Sequence, residues 1–195
     1  GSGGNISAVA SSNGDVTASW ATSAANGLAI ITARHYRSGT WSPPETITSA
    51  ASSPAMMVTL PNGKPMAVWH ASNAGQHALM ASGYTNGIWE APIKAQKPAS
   101  MAGEFSLPGL AVDVAGNVTA VWEQELQANG SSSHAIISNR LVQGAWQVFT
   151  QIDSPNLKGH AATPAIASDG AGNVLAIWNQ ISTNDHLVIN ANQLK

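Results

Sequence analysis

Histidine is the side chain whose protonation changes near neutral pH, and three histidines of this chain recur in similar surroundings. His77, His134 and His186 each stand at the start of a short run of apolar residues. A neutral imidazole can bind a metal ion or a polar ligand. No carboxylate recurs beside these histidines to support bound metal. We therefore predict a ligand-binding or structural role for them, and neither a metal nor a cofactor.

A second set of polar side chains follows four tryptophans, Trp20, Trp69, Trp122 and Trp178. The next residue varies, and it is Ala21, His70, Glu123 or Asn179. Gln124 and Gln180 come one residue later in the last two copies. Variation beside a fixed aromatic favours a binding face, and glutamine amides can donate and accept hydrogen bonds with sugar hydroxyls. The predicted ligand-binding residues are His70, Glu123, Gln124, Asn179, Gln180, His77, His134 and His186.

Hydrolytic catalysis requires paired carboxylates or an activated nucleophile. The 195 residues include only 10 acidic ones. Glu123, Glu125, Asp153 and His160 could meet on one face, but their spacing does not require it. Sequence counting also places Arg34 and Arg140 at matching points, where the repeat would spread them around the fold. The sequence therefore predicts no catalytic residue and favours a protein without enzymatic activity.

The tryptophans belong to an internal repeat. In all four copies a glycine lies six residues before the tryptophan and an alanine lies two before it. The glycines are Gly14, Gly63, Gly116 and Gly172, and the alanines are Ala18, Ala67, Ala120 and Ala176. Three copies add a Gly-x-Trp landmark about 20 residues later, ending at Trp41, Trp89 and Trp146. Such agreement at fixed offsets indicates a repeated structural unit.

Each repeat contains short apolar runs separated by glycine and asparagine, which predicts four antiparallel strands, named a to d in chain order. A sustained helical period is missing from the sequence. Units of about 40–50 residues with four strands are typical of β-propeller blades, whose tryptophans would fill the core between blades. We predict an all-β propeller of four-stranded antiparallel blades in one domain, 5–195, after a tag or linker, 1–4. The predicted blades cover about 5–48, 54–96, 107–152 and 164–195.

The fourth repeat lacks its Gly-x-Trp strand, so strand c, near 186–190, is predicted to leave an unpaired edge. Such an edge invites another strand. We expect either a homo-oligomer formed through this edge or a longer chain. The longest linkers, 95–108 and 150–164, are predicted to join the b–c loops on one binding face.

The repeat resembles a known family of blades. Its pattern is Asp/Asn-x-x-Gly-Asn-x-x-Ala-x-Trp followed by Gly-x-Trp-Ser-x-Pro. The residues that carry it are Asp113, Gly116, Asn117, Ala120, Trp122, Gly39, Trp41, Ser42 and Pro44. The pattern resembles repeats of bacterial exported β-propellers and, distantly, sialidase-like Asp-box blades. The resemblance implies an extracellular, periplasmic or cell-surface protein of a bacterium.

Composition excludes several classes of partner. Charged residues make up 9% of the chain and the net charge is −2, so the chain has no field that would attract nucleic acid. Without an apolar run of about 20 residues, membrane insertion is not expected. The absence of cysteine excludes disulfides and thiolate metal sites.

These observations favour a non-catalytic binding module that recognises a glycan or an extracellular protein surface through its b–c and d–a loops. One alternative is a glycosidase or lyase with a pocket on the same face. Another alternative is a structural repeat segment of a large bacterial surface protein.

Overall fold

The fold is built from antiparallel β-strands and turns. The computed structural model describes residues 6–24, 26–73, 76–95, 106–128, 131–154, 160–169 and 171–194. Within these ranges no helix is long and apolar enough to cross a membrane. The strands of the first two repeats are β1 Ile6–Ala10, β2 Val16–Ser23, β3 Ala29–Arg37, β4 Thr40–Trp41, β5 Glu45–Ala51, β6 Met56–Thr59, β7 Pro65–Asn73, β8 Gln76–Thr85, β9 Ile88–Trp89 and β10 Ile93–Lys94. Those of the last two are β11 Gly109–Val112, β12 Val118–Ala128, β13 Ser131–Val142, β14 Ala145–Trp146, β15 Thr150–Gln151, β16 Ala161–Ser168, β17 Val174–Ile181 and β18 Leu187–Leu194.

Each repeat forms one antiparallel sheet. Sheet one contains β1 to β5, sheet two β6 to β10, sheet three β11 to β15 and sheet four β16 to β18. The prediction of an all-β protein with antiparallel sheets is therefore confirmed. The arrangement of the four repeats as blades of one propeller, the last without its outer strand, stays a prediction.

In sheets one to three, the predicted strand d consists of two short segments that both pair with strand c. The c–d hairpins close through Ser38-Gly39, Asn86-Gly87 and Gln143-Gly144, in which both residues have positive φ. Such two-residue turns match the twist of the paired strands. In sheets one and two, prolines lie between the two segments, where the missing N–H prevents continuous pairing.

The described residues fall into two units, sheets one and two in the first and sheets three and four in the second. In the first unit Ile31, Ala33 and Trp69 are fully or almost fully buried in one apolar cluster. In the second unit Val121 and Trp178 belong to the corresponding cluster. The single predicted domain stays a prediction.

The strand-b tryptophans Trp69, Trp122 and Trp178 are buried as predicted, with exposed fractions of 1%, 1% and 4%. Trp20 is half-buried. The prediction of a core role is wrong for Trp41, which is 46% exposed. Its ring centroid lies 5.4 Å from that of Tyr36, its partner across the c–d hairpin. A tryptophan of strand d therefore does not become buried merely because the repeat places it there.

Strand pairing also corrects the match between Arg34 and Arg140. Arg34 pairs with Ala18, two residues before Trp20. Arg140 pairs with Thr119, three residues before Trp122. The residue that corresponds to Arg140 is therefore His35, whose partner Thr17 lies three residues before Trp20.

Hydrogen bonds to an aspartate side chain stabilise the a–b turns of sheets three and four. Asp113 Oδ1 accepts hydrogen bonds from the backbone N–H groups of Ala115 and Asn117, both at 2.9 Å. Its other oxygen accepts from the Asn117 amide at 2.8 Å and from Arg140. Burial opposes ionisation, but these hydrogen bonds keep the pKa of Asp113 below its usual value. Asp169 repeats the arrangement with Asn173, whose side chain donates at 2.7 Å.

Candidate functional site

Among the described residues of the second unit, several polar and ionisable side chains lie together around Glu123. The carboxylate Oε1 lies 2.5 Å from His134 Nδ1, which donates the hydrogen bond. The other oxygen accepts from the backbone N–H of Thr163 at 3.3 Å. The His134 ring meets the ring of His160 edge to face, with centroids 4.7 Å apart. We call Glu123, His134, His160 and Thr163 the Glu123 cluster.

Strand register explains how sheet three assembles its share of this cluster. Glu125 is directly opposite His134, and Glu123 is opposite Ile136. Because alternate residues of a strand share one face, Glu123, Glu125 and His134 project from the same side of the sheet. Val121 continues this face into the apolar cluster shared with sheet four. The polar cluster is therefore the solvent-side continuation of a packed sheet interface.

Sheet four contributes Thr163 through an irregular backbone. The pairing of β16 with β17 shifts register between Ala162 and Ala165. Thr163 has a φ of 52°, a left-handed conformation that a β-branched residue rarely adopts. Such a conformation costs about 1–3 kcal/mol and is typical of functional sites. The bulge directs the Thr163 N–H at Glu123, while the Thr163 hydroxyl accepts from Asn179 Nδ2 at 2.8 Å.

Three of the predicted binding residues therefore come together. Glu123 and His134 are in direct contact, and Asn179 joins them through Thr163. The Glu123 side chain is 21% exposed and that of His134 is 36% exposed. A ligand arriving from solvent can reach both groups.

Gln124 and Gln180 project from the opposite side of their strands and are almost fully buried. Each accepts a hydrogen bond from the indole N–H of the tryptophan two residues earlier, at 3.4 and 3.3 Å. Gln124 also donates to the backbone carbonyl of Glu125, and Gln180 donates to that of Ser154. These hydrogen bonds fix the orientation of the two tryptophan side chains. A role for the two glutamines in ligand binding stays a prediction.

The other predicted histidines lie elsewhere. His70 is buried at 4% exposure in the first unit. His77 is half-buried near the start of β8, and His186 is exposed just before β18. Because Leu187 pairs with Ile181, three residues after Trp178, Leu187 is the residue that corresponds to His134. The three histidines predicted at one blade position are therefore not all equivalent.

Thr163 is the member of the cluster that the sequence analysis missed. Thr163-Pro164 reads as an ordinary extended pair, since proline disfavours helix in the residue before it. The sequence does not indicate that Thr163 adopts a left-handed backbone conformation. Much of the two linkers predicted to form the binding face, 96–105 and 155–159, lies outside the described residues.

The described residues contain no group of three or more histidine, aspartate, glutamate or cysteine side chains that could hold a metal ion. The Glu123 carboxylate fixes the His134 tautomer with the proton on Nδ1, which directs Nε2 away from Glu123. Glu125, two residues further along β12, lies on the same face of the sheet as Glu123.

No family model matches the chain, and no curated protein sequence matches it. Similar solved structures exist. An α-L-arabinanase of Penicillium chrysogenum, complexed with arabinobiose, has a TM-score of 0.63 and 9% identity over 98% of this chain and 62% of its own. An α-L-arabinofuranosidase of Fusarium graminearum, also with arabinobiose, has a TM-score of 0.59 and 10% identity over 96% and 60%. A thermostable family-43 glycoside hydrolase has a TM-score of 0.54 and 11% identity over 96% and 70%.

This chain thus spans about three fifths of the length of the first two structures. At such low identity the likeness shows the fold alone, a β-propeller-like all-β fold. The comparisons nevertheless contradict our interpretation of the chain as a non-catalytic binding module, because these three similar structures are glycoside hydrolases. They favour the alternative, a glycosidase.

Proposed function

We propose that this chain carries a glycoside hydrolase site in which Glu123 and Glu125 form the carboxylate pair. The observation that carries the proposal is the fixed position of Glu123, whose two oxygens accept hydrogen bonds from His134 and Thr163. A catalytic carboxylate must be held in one geometry to act on a bound sugar. The neighbouring His160 and Asn179 supply further polar groups for sugar hydroxyls.

We propose that the reaction inverts the configuration of the sugar. Glu123 and Glu125 are two residues apart on β12 and share a face. In an inverting glycosidase one carboxylate activates a water molecule while the other carboxyl group protonates the leaving oxygen, so both groups act directly on the substrate.

The hydrogen bonds suggest how the two roles divide. Glu123, held as an acceptor on both oxygens, is the base that aligns water and removes its proton. Glu125 is the acid that protonates the leaving oxygen. His134 is a positioning residue, because it acts on the sugar through Glu123.

The substrate class comes from the comparisons. The arabinanase and the arabinofuranosidase that resemble this chain in fold were both solved with arabinobiose. We therefore propose an arabinose-containing oligosaccharide as the substrate. Its polar hydroxyls suit the exposed imidazoles and the amide of the site.

The test is hydrolysis of linear arabino-oligosaccharides and aryl α-L-arabinofuranosides, with products separated by anion-exchange chromatography. Glu123→Gln and Glu125→Gln should each lower kcat/KM by about 100-fold or more, as expected for loss of an acid or base. Asp185→Asn, in an exposed turn of the same unit, is the matched control and should retain full activity. NMR of the first-formed anomer should show inversion.

The proposal fails if the parent chain hydrolyses none of these substrates, or if Glu123→Gln is as active as the parent. Retention of configuration would leave the hydrolase in place but exclude the assigned roles.

A further inference from the structure

The sequence contains five Asn-Gly pairs, which are chemically reactive sites in proteins. Four of them lie in turns that the structure describes, and they begin at Asn13, Asn26, Asn62 and Asn86. The fifth, Asn129-Gly130, lies outside the described residues. In such a pair the backbone nitrogen of glycine can attack the side-chain carbonyl carbon of asparagine, since glycine has no Cβ to shield its nitrogen. In a folded protein the rate of this attack depends on how firmly both groups are held.

In the first three pairs both reacting groups are engaged in hydrogen bonds. The glycine N–H donates to the backbone carbonyl three residues earlier, with N···O distances of 3.0, 3.1 and 2.8 Å for Gly14, Gly27 and Gly63. The asparagine side-chain oxygen accepts the backbone N–H two residues later, at 3.1, 3.1 and 3.0 Å from Asp15, Leu28 and Lys64. These side-chain bonds are typical of asparagine in turns. Attack at these three sites therefore requires hydrogen bonds to break first.

Asn86-Gly87 differs from the other three pairs in both respects. It forms the two-residue turn between β8 and β9, with positive φ values of 54° and 84°. Such a turn pairs the residues on either side of it, here Thr85 and Ile88, and leaves the glycine N–H outside the ladder. Among the described residues, neither the Gly87 N–H nor the Asn86 side chain has a hydrogen-bond partner. Both residues are exposed, so the nucleophile and its target are free to meet.

We propose that Asn86 is a modification site, at which the folded protein converts asparagine to aspartate and isoaspartate without an enzyme. The Gly87 nitrogen forms a bond to the side-chain carbonyl carbon of Asn86, and the bond from that carbon to the amide nitrogen breaks. The proton of the Gly87 N–H leaves with the amide nitrogen as ammonia. Water then opens the five-membered imide ring at either of its carbonyl groups, and the chain gains a negative charge.

The isoaspartate product changes the c–d hairpin of sheet two, because it inserts an additional carbon into the backbone of a two-residue turn. The turn is followed by the pair of Tyr84 with Trp89. The rings of these two residues lie beside His35 of sheet one, with centroids 4.2 and 6.1 Å from that of the imidazole. The modification therefore weakens the packing of sheet two against sheet one within the first unit.

The test is storage of the purified full chain at pH 8, with each Asn-Gly pair followed by peptide mapping and mass spectrometry. Asn86 should react about tenfold or more faster than Asn13, Asn26 and Asn62, since only the latter must break hydrogen bonds first. The same chain unfolded in guanidinium chloride is the control. There the turns are absent, so the four rates should be similar.

A matched variant tests the effect on the hairpin. Asn86→Gln removes the five-membered ring, so the stored variant should keep the urea midpoint of the fresh protein while the midpoint of the stored parent falls. Equal rates at the four sites of the folded chain would overturn the proposal. The same excess at Asn86 in the folded and the unfolded chain would also overturn it, because the local sequence would then suffice. An unchanged midpoint of fully modified parent would overturn the effect on packing. None of these measurements depends on hydrolase activity.

Discussion

The two units of this protein use the same repeat but place different side chains at both ends of their sheets. After the strand-b tryptophan, sheet two has the buried His70 and sheet three has the accessible Glu123. At the other end, sheet one has His35 against aromatic rings, whereas sheet three has Arg140 paired with Asp113. The repeat therefore determines where the strands lie, while the residues at the strand ends determine which chemistry each unit offers.

The largest expected effect is the loss of stability when a buried tryptophan is replaced by alanine. Trp178→Ala should destabilise the chain by about 3–5 kcal/mol, because the ring is 4% exposed within the core of the second unit. Trp41→Ala in the first unit should cost about 1 kcal/mol or less, mainly through a lost contact with the Arg34 guanidinium. Urea unfolding measures both. Equal losses would mean that exposure does not separate the two positions.

Much of the fold could be predicted from the fixed spacing of residues in the four repeats. All four sheets were predicted from glycine, alanine and tryptophan at fixed offsets. Side chains alternate between the two faces of a strand, so residues at the same offset lie on the same face in each repeat. His186 was misplaced because the fourth repeat has no Gly-x-Trp landmark, so its strand c could not be anchored at both ends. Glu123 could be named because it follows a landmark directly. Thr163 could not, because its position depends on a bulge that no residue type requires.

The second prediction sharpens the contrast between the a–b turns. Asp113→Ala should cost about 2–3 kcal/mol, because the turn loses its acceptor and Arg140 loses its partner. In the first unit the Asn62 side chain accepts the backbone N–H of Lys64 at 3.0 Å, so Asn62→Ala should cost about 1 kcal/mol. Thermal unfolding at pH 7 measures the two variants. A larger loss for Asn62→Ala would contradict the comparison.

The same aspartate predicts a pH dependence. Because the folded pKa of Asp113 is lowered, its contribution is complete above the unfolded value of about 3.9 and is lost as pH falls through the folded pKa. Asp113→Ala should therefore resemble the parent more closely in stability at pH 2 than at pH 7. An equal difference at the two pH values would show that the charge of Asp113 is not what stabilises the turn.

The third prediction concerns the left-handed Thr163. Thr163→Gly and Thr163→Ala both remove the hydroxyl that accepts from Asn179, but only glycine adopts a φ of 52° without strain. The glycine variant should be more stable than the alanine variant by about 1 kcal/mol. Both variants should hydrolyse arabino-oligosaccharides more slowly, because residue 163 donates its backbone N–H to Glu123 and the substitution alters this part of the backbone. In Ser38→Gly, at a first-unit hairpin that already has positive φ, stability should rise without any change in activity.

The smallest expected effect lies in the first unit, at His35. Its Nδ1 lies 2.8 Å from the hydroxyl of Thr17, and Nε2 lies 3.9 Å from Glu45. Burial, and then the charge of Arg37, lower the pKa of His35, although Asp15 opposes them. The fold therefore favours the neutral ring, and protonation acts against folding.

The sign of the effect follows from this lowered pKa. The contribution of His35 is complete above its unfolded pKa of about 6.5 and is lost as pH falls toward the folded pKa. His35→Gln, which can still hydrogen-bond Thr17, should lose less stability than the parent between pH 7.5 and pH 5. Arginine side chains in general stay charged throughout this range. Arg140→Gln, at the corresponding position of the second unit, should therefore leave the pH slope of the parent unchanged. Urea unfolding at several pH values measures the change in the free energy of unfolding with pH. If this change is the same for His35→Gln and the parent, the His35 ring does not cause the loss of stability in acid.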